Sequence, residues 1–185
     1  MVHFIISLLS FSRCPKDKNE FILDFIQKYA SHKSWRIREA VAMGIQEISE
    51  NNMKETLKNI VKMKDGNYYE KRAVVAGLCE PKLLKDEKTA TNVINILFEI
   101  TEKLNHDNKL TDEEESLRKA LAYGWSVAIV HTPENGKKVF ERLLATKKGK
   151  HIKWIIKENL KKNRLIKMDA NWVKEMENRL TKAST

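Results

Sequence analysis

Apolar residues return every three or four positions through most of the chain, as in Phe21, Phe25 and Ile26, or Val93, Ile94, Leu97, Ile100 and Leu104. No stretch alternates with the period of two that a half-buried strand needs. The spacing predicts amphipathic helices over residues 20–30, 53–64, 90–104 and 137–145, each followed by a second helix of a different kind.

The second kind carries a motif that repeats. Its first three copies hold a basic residue, Ala, an aliphatic, Gly and a large apolar residue in fixed order: Arg38, Ala40, Val41, Gly44 and Ile45; Lys71, Ala73, Val74, Gly77 and Leu78; Arg118, Ala120, Leu121, Gly124 and Trp125. A weaker fourth copy, Lys153, Ile155, Ile156, Asn159 and Leu160, keeps the basic and apolar places and loses the small ones. The Ala places (40, 73, 120 and 155 in the last copy) lie 33, 47 and 35 residues apart, a repeat of two-helix units with variable linkers. Gly inside a helix costs about 1 kcal/mol relative to Ala. Its return on the same face as the motif Ala therefore predicts a smooth patch for close helix packing, not a phosphate cradle.

The punctuation fits this parse. Gly66, Gly136 and Gly149 are expected in turns, and Pro15, Pro81 and Pro133 at boundaries. Asp17 with Glu20, Asn67 with Glu70, and Thr111 with Glu114 each place an acid three residues after a capping side chain. The expected architecture is an all-α, α-solenoid arrangement of antiparallel helix pairs at about 17–50, 52–80, 87–131 and 133–163, with a terminal helix at about 171–182. Together these form one repeat domain over residues 1–185. Ile37-Arg38 and Leu117-Arg118, each opening the second helix of a pair ahead of a small residue, resemble the HEAT and armadillo class of helical repeats. That resemblance implies the fold and leaves function open.

Composition narrows the setting. With 185 residues and 42% hydrophobic content, the chain can bury a core without disulfides or metal. Cys14 and Cys79 match no zinc or redox spacing, so ordinary thiols in a reducing, cytoplasmic compartment are expected. No apolar run approaches the ~18 residues of a membrane helix. The apolar segment at residues 2–11 lacks a basic start and a cleavage site, and is expected to be a capping helix rather than a signal. His3, His32, His106, His131 and His151 show no ligand spacing, and no metal or cofactor is expected. They are expected at surfaces and caps.

The formal charge is +10, and residues 147–167 hold nine Lys or Arg against the single acid Glu158. Lys150, Lys153, Lys157, Lys161 and Arg164 follow three- and four-residue steps and are expected to form one basic stripe on a helix, opposite Ile152, Ile156 and Leu160. Arg38, Lys71, Arg118 and Lys153 hold equivalent repeat places. They either line a basic concave side or bridge neighbouring repeats. Five phosphate contacts from the stripe would give a log–log salt slope of roughly −4.5 on duplex DNA, at about −0.9 per contact.

Trp35 with Glu39, and Trp154 with Lys157, resemble pieces of the HEAT-like alkylpurine DNA glycosylase (DNA alkylation repair) family. The resemblance implies Trp35 and Trp154 as aromatic walls, Glu39 as the carboxylate beside the modified nucleotide, and Lys157 as a phosphate contact. Trp125 and Trp172 are expected as buried anchors. The leading expectation is a non-catalytic module that binds duplex DNA phosphates through basic residues. A scaffold for an acidic or helical protein segment is the alternative, and the repair glycosylase is a third reading.

Overall fold

The computed structural model describes Asp24 and residues 26–146 and 149–182. Expectations placed on residues 2–11, Cys14, Pro15, the Asp17 cap, Phe21, Phe25, Lys147 and Lys148 lie outside these residues. Every regular element among the described residues is helical, and the fold is all-α. The chain divides into two compact units, one ending at Leu83 and the other beginning at Leu84.

In the first unit, helical residues 26–30 lead through a turn into α1 (Trp35–Asn59), followed by α2 (Val61–Asp65), α3 (Tyr68–Leu78) and a 3-10 turn at Pro81–Leu83. Helix α1 is not regular throughout. Asn52 leaves helical geometry (φ −154°, ψ 78°), and its side chain accepts from the Glu55 amide at 3.1 Å, capping a fresh start. The break falls where the sequence pattern separates the first helix pair from the second. The expected helix over 53–64 is itself divided at Ile60, whose buried side chain marks the bend into α2.

Asn67 caps α3 by accepting from the Glu70 amide at 3.0 Å. Helix α3 then packs on α1 along the motif patch. A Cβ on Gly77 would lie 2.5 Å from Ile45 Cγ2, so the absent side chain is what lets the two helices approach. Gln46 Nε2 crosses the same contact to donate to the Ala76 carbonyl at 3.1 Å.

The second unit holds α4 (Glu87–Glu102), α5 (Asp112–Ile129), α6 (Pro133–Thr146), α7 (Lys150–Leu160), α8 (Asn163–Met168) and α9 (Ala170–Lys182). Helix α4 packs on α5 and α6, and α5 packs on α7, so partners meet within a pair and like helices meet between pairs. Thr111 and Glu114 form the capping box expected at α5, and Asp86 caps α4 by accepting from the Thr89 amide at 2.8 Å. Trp125 is fully buried and donates to Thr101 Oγ1 at 3.0 Å, while Phe140 lies between it and Trp172, with ring centroids 5.3 and 6.1 Å away. Both tryptophans are core anchors, as expected.

Three details differ from the sequence pattern. Gly136 sits inside the first turn of α6 rather than in a turn between helices, because a Cβ there would come within 2.9 Å of Ile129 Cα. The fourth helix pair ends at Leu160 and not near 163: Lys162 turns extended (φ −78°, ψ 123°) and starts the short α8. His151 is buried at 5% exposure rather than lying at the surface.

Asn159 explains how the fourth motif copy works without glycine. Its fully buried amide accepts from the Ser126 N–H at 2.9 Å and donates to the Leu121 carbonyl at 3.0 Å, both on α5. Where Gly77 gains close contact by absence, Asn159 gains it by bonding the neighbouring backbone.

Candidate nucleic-acid interface

The sequence Lys150-His-Ile-Lys-Trp-Ile-Ile-Lys-Glu-Asn-Leu160 makes α7 two-sided. Ile152, Ile155, Ile156 and Leu160 are buried, and the basic residues face out. The loop from α4 to α5 secures the start of this helix: Asn105 accepts from the Gly149 amide at 3.1 Å and Asp107 from the Lys150 amide at 2.6 Å. His151 Nε2 lies 2.8 Å from the Asn108 carbonyl, and its Nδ1 lies 3.4 Å from Arg118 Nη1. A guanidinium only donates and a carbonyl only accepts, so the ring is the Nε2–H tautomer. The His106 ring stands edge-on to it at 5.3 Å.

The basic stripe is shorter than its spacing predicts. Lys150, Lys153 and Lys157 share α7, Lys161 is the residue that ends it, and Arg164 belongs to α8. Lys150 and Lys157 are exposed, and Lys153 is half-buried. Lys161 pairs with Glu158 at 2.5 Å. Arg164 lies over the Tyr123 ring, 4.6 Å from its centroid, and donates to the Tyr123 hydroxyl at 2.9 Å. The charge of Arg164, after the larger effect of burial, holds His131 below its ordinary pKa.

The equivalent repeat positions are largely committed to the fold. Arg38 donates to the carbonyls of His32 at 2.7 Å and Lys33 at 3.0 Å, and its guanidinium packs 4.5 Å from the Tyr69 ring centroid. Lys71 is buried at 6% exposure and donates to the Gly66 carbonyl, placing its ammonium at the end of α2 where a cation suits the helix dipole. Arg118 pairs with Glu115 at 2.6 Å and stacks on Trp154 at 4.1 Å from the ring centroid. Its Nε is buried without a hydrogen-bond partner. Arg38 and Arg118 reach the next helix pair through Tyr69 and Trp154, whereas Lys71 stays within its own pair.

The residues of the glycosylase resemblance are likewise engaged or differently placed. Trp35 begins α1 at 64% exposure, with Arg36 at 5.8 Å from its ring. Glu39 is ion-paired with Arg72, which also donates to the Arg38 carbonyl at 3.0 Å. Trp154 is half-buried, and Arg118 occupies one face of its indole.

A cleft of about 540 Å³ opens between α7 and α9. From α7 it takes Lys153, Trp154, Lys157 and Leu160, with Lys161 just past its end, and from α9 Glu177, Leu180 and Thr181. The α9 side has no signature in the sequence, because it enters the site only through tertiary packing. Tyr123 was also missed, although it shares with the exposed Met43 the motif place just before Gly. Among the described residues no group of three or more His, Cys, Asp or Glu is arranged to hold a metal ion, and no helix is long and apolar enough to cross a membrane.

No protein-family model matches the chain, and it has no match among curated proteins or solved structures.

Proposed function

We propose that the chain is a non-catalytic helical-repeat module of the HEAT-like class that binds nucleic acid, duplex DNA foremost, through phosphate contacts in its second unit. One observation carries the reading. Helix α7 turns Lys150, Lys153 and Lys157 to its outer side while burying the opposite side, with Lys161 continuing the row. Such a row releases counterions when it meets a polyanion. The reading does not call on the repeat-position cations Arg38, Lys71 and Arg118, whose charges already serve backbone carbonyls, carboxylates and aromatic faces. A cytoplasmic setting suits a chain whose buried Cys79 thiol is pushed up to about 12 by desolvation and is thereby unreactive.

The test is titration against a short DNA duplex at two salt concentrations, beside a Lys150/Lys153/Lys157→Glu variant. Three phosphate contacts give a salt slope of roughly −2.7, shallower than the five-contact stripe would give. Equal affinity of variant and parent ends this reading.

A protein partner is the second reading, favoured by the leucines that wall the cleft beside α7. A glycosylase finds less support: the carboxylate of Glu39 is neutralised by Arg72, and a cation already sits on the Trp154 face that would attract a cationic base. Release of an alkylated base, abolished by Glu39→Gln, would reinstate it.

A further inference from the structure

We infer that the interface also takes an unpaired nucleotide, with the Tyr123 ring as the platform on which its base stacks. The inference rests on the nucleic-acid reading above and names the strand state accepted beside the phosphate row of α7.

Tyr123 is an exception on its surface. Among the described residues of the second unit, it and Ile166 alone are large hydrophobic side chains left exposed, Tyr123 at 47%. It stands on the outward side of α5, while its neighbours Leu121, Ala122, Gly124 and Trp125 are buried. The ring is not loose. The Arg164 guanidinium covers one face, 4.6 Å from the centroid, and donates to the hydroxyl at 2.9 Å. With that face and the hydroxyl engaged, the area open to solvent lies on the opposite face and the edge. A ring already held in place gives up little freedom when a flat partner stacks on it.

The surroundings choose the partner. Residues 150–168 carry seven Lys or Arg against the one acid Glu158, which Lys161 already answers, and Lys150 and Lys157 are exposed. A ligand drawn to that field is a polyanion, and the polyanion that also offers flat π faces is nucleic acid. Within a duplex those faces are covered by their neighbours in the stack, so only an unpaired base can lie on the ring. The spacing also suits one strand. Asn159 of α7 bonds Leu121 and Ser126, which flank Tyr123 in the chain, and so fixes the ring beside the turn of α7 between Lys157 and Lys161. Packed helices lie about 8–10 Å apart. A base on Tyr123 therefore leaves its neighbouring phosphates within reach of the α7 lysines.

Fluorescence polarisation on the full chain tests this with labelled oligo(dT), oligo(U), an abasic strand of the same length and charge, and a blunt DNA duplex. The base-bearing strands are expected to bind about tenfold more tightly than the abasic strand, the margin of one stacked base. Tyr123→Ala should lose that margin while holding abasic and duplex affinities within about twofold of the parent. Tyr123→Phe, which keeps the ring and loses the hydroxyl, should retain most of the margin. Far-UV circular dichroism and urea unfolding check that both variants are folded. The order of oligo(dT) and oligo(U) tells which nucleic acid the site prefers. Equal binding of abasic and base-bearing strands, an undiminished margin in Tyr123→Ala, or binding by the duplex alone each overturns the inference. If Lys150/Lys153/Lys157→Glu binds every probe as the parent does while the margin and its dependence on Tyr123 persist, the phosphate row falls and the stacking site stands.

Discussion

Helices α3 and α7 occupy the same place in the second and fourth copies of one motif, yet they solve both of its tasks differently. In α3 the basic place is Lys71, folded inward onto the Gly66 carbonyl, and the small place is Gly77, pressed against Ile45. In α7 the basic place is Lys153, on the rim of a cleft, and the small place is Asn159, bonded to two backbone groups of α5. A formal charge in a repeat is therefore not yet a charge on a surface. What separates the two is the local setting: Lys71 is buried against the carbonyl that ends α2, whereas Lys153 stays half-buried on the cleft rim, with Glu177 on the facing α9 edge.

The largest expected effect tests the Asn159 solution. Asn159→Leu strands the Ser126 N–H and one lone pair of Leu121, and is expected to cost about 3 kcal/mol in urea unfolding. If Asn159→Gly instead retained parental stability, the two helices would share one packing device and the contrast would collapse. Gly77→Ala comes next, at about 2 kcal/mol, since the added methyl meets Ile45 across an already closed contact.

Smaller effects sharpen the electrostatic half. Lys71→Gln should lower stability by about 1 kcal/mol, through loss of a charged hydrogen bond from a buried ammonium to the Gly66 carbonyl. Lys157→Gln should stay within about 0.5 kcal/mol of the parent in the same experiment, as an exposed substitution does. The reverse order would show that Lys71 is not structural. Thr111→Ala removes one arm of the capping box and is expected to cost about 1 kcal/mol by thermal or chemical melting.

The smallest effect concerns pH. Hydrogen bonds from Thr89 hold the Asp86 carboxyl below its ordinary value of 3.8. The unfolded chain therefore binds the proton more readily, and the contribution of this cap is present above the ordinary value and lost as pH falls through the lowered one. Asp86→Asn should flatten the acid limb of the stability profile slightly while leaving neutral pH almost unchanged. A steeper acid limb in that variant would contradict the assignment.

Period and punctuation in the sequence were enough to determine that the chain is helical, where most helices lie and how several begin. The Thr111–Glu114 capping box, the Asn67 cap, Pro133 at a helix start and the division near residue 51 are local matters of backbone chemistry, which sequence expresses directly. The sequence also showed that residues 147–167 are basic, but not which cations act outward. Tertiary structure decided that Arg38, Lys71 and Arg118 are held by partners far away or across a turn, that the stripe is cut at Leu160, and that α9 completes the cleft. The physical reason is that a side chain's charge is spent or kept according to what the fold brings within hydrogen-bonding reach, and sequence spacing sees only neighbours on the same helix.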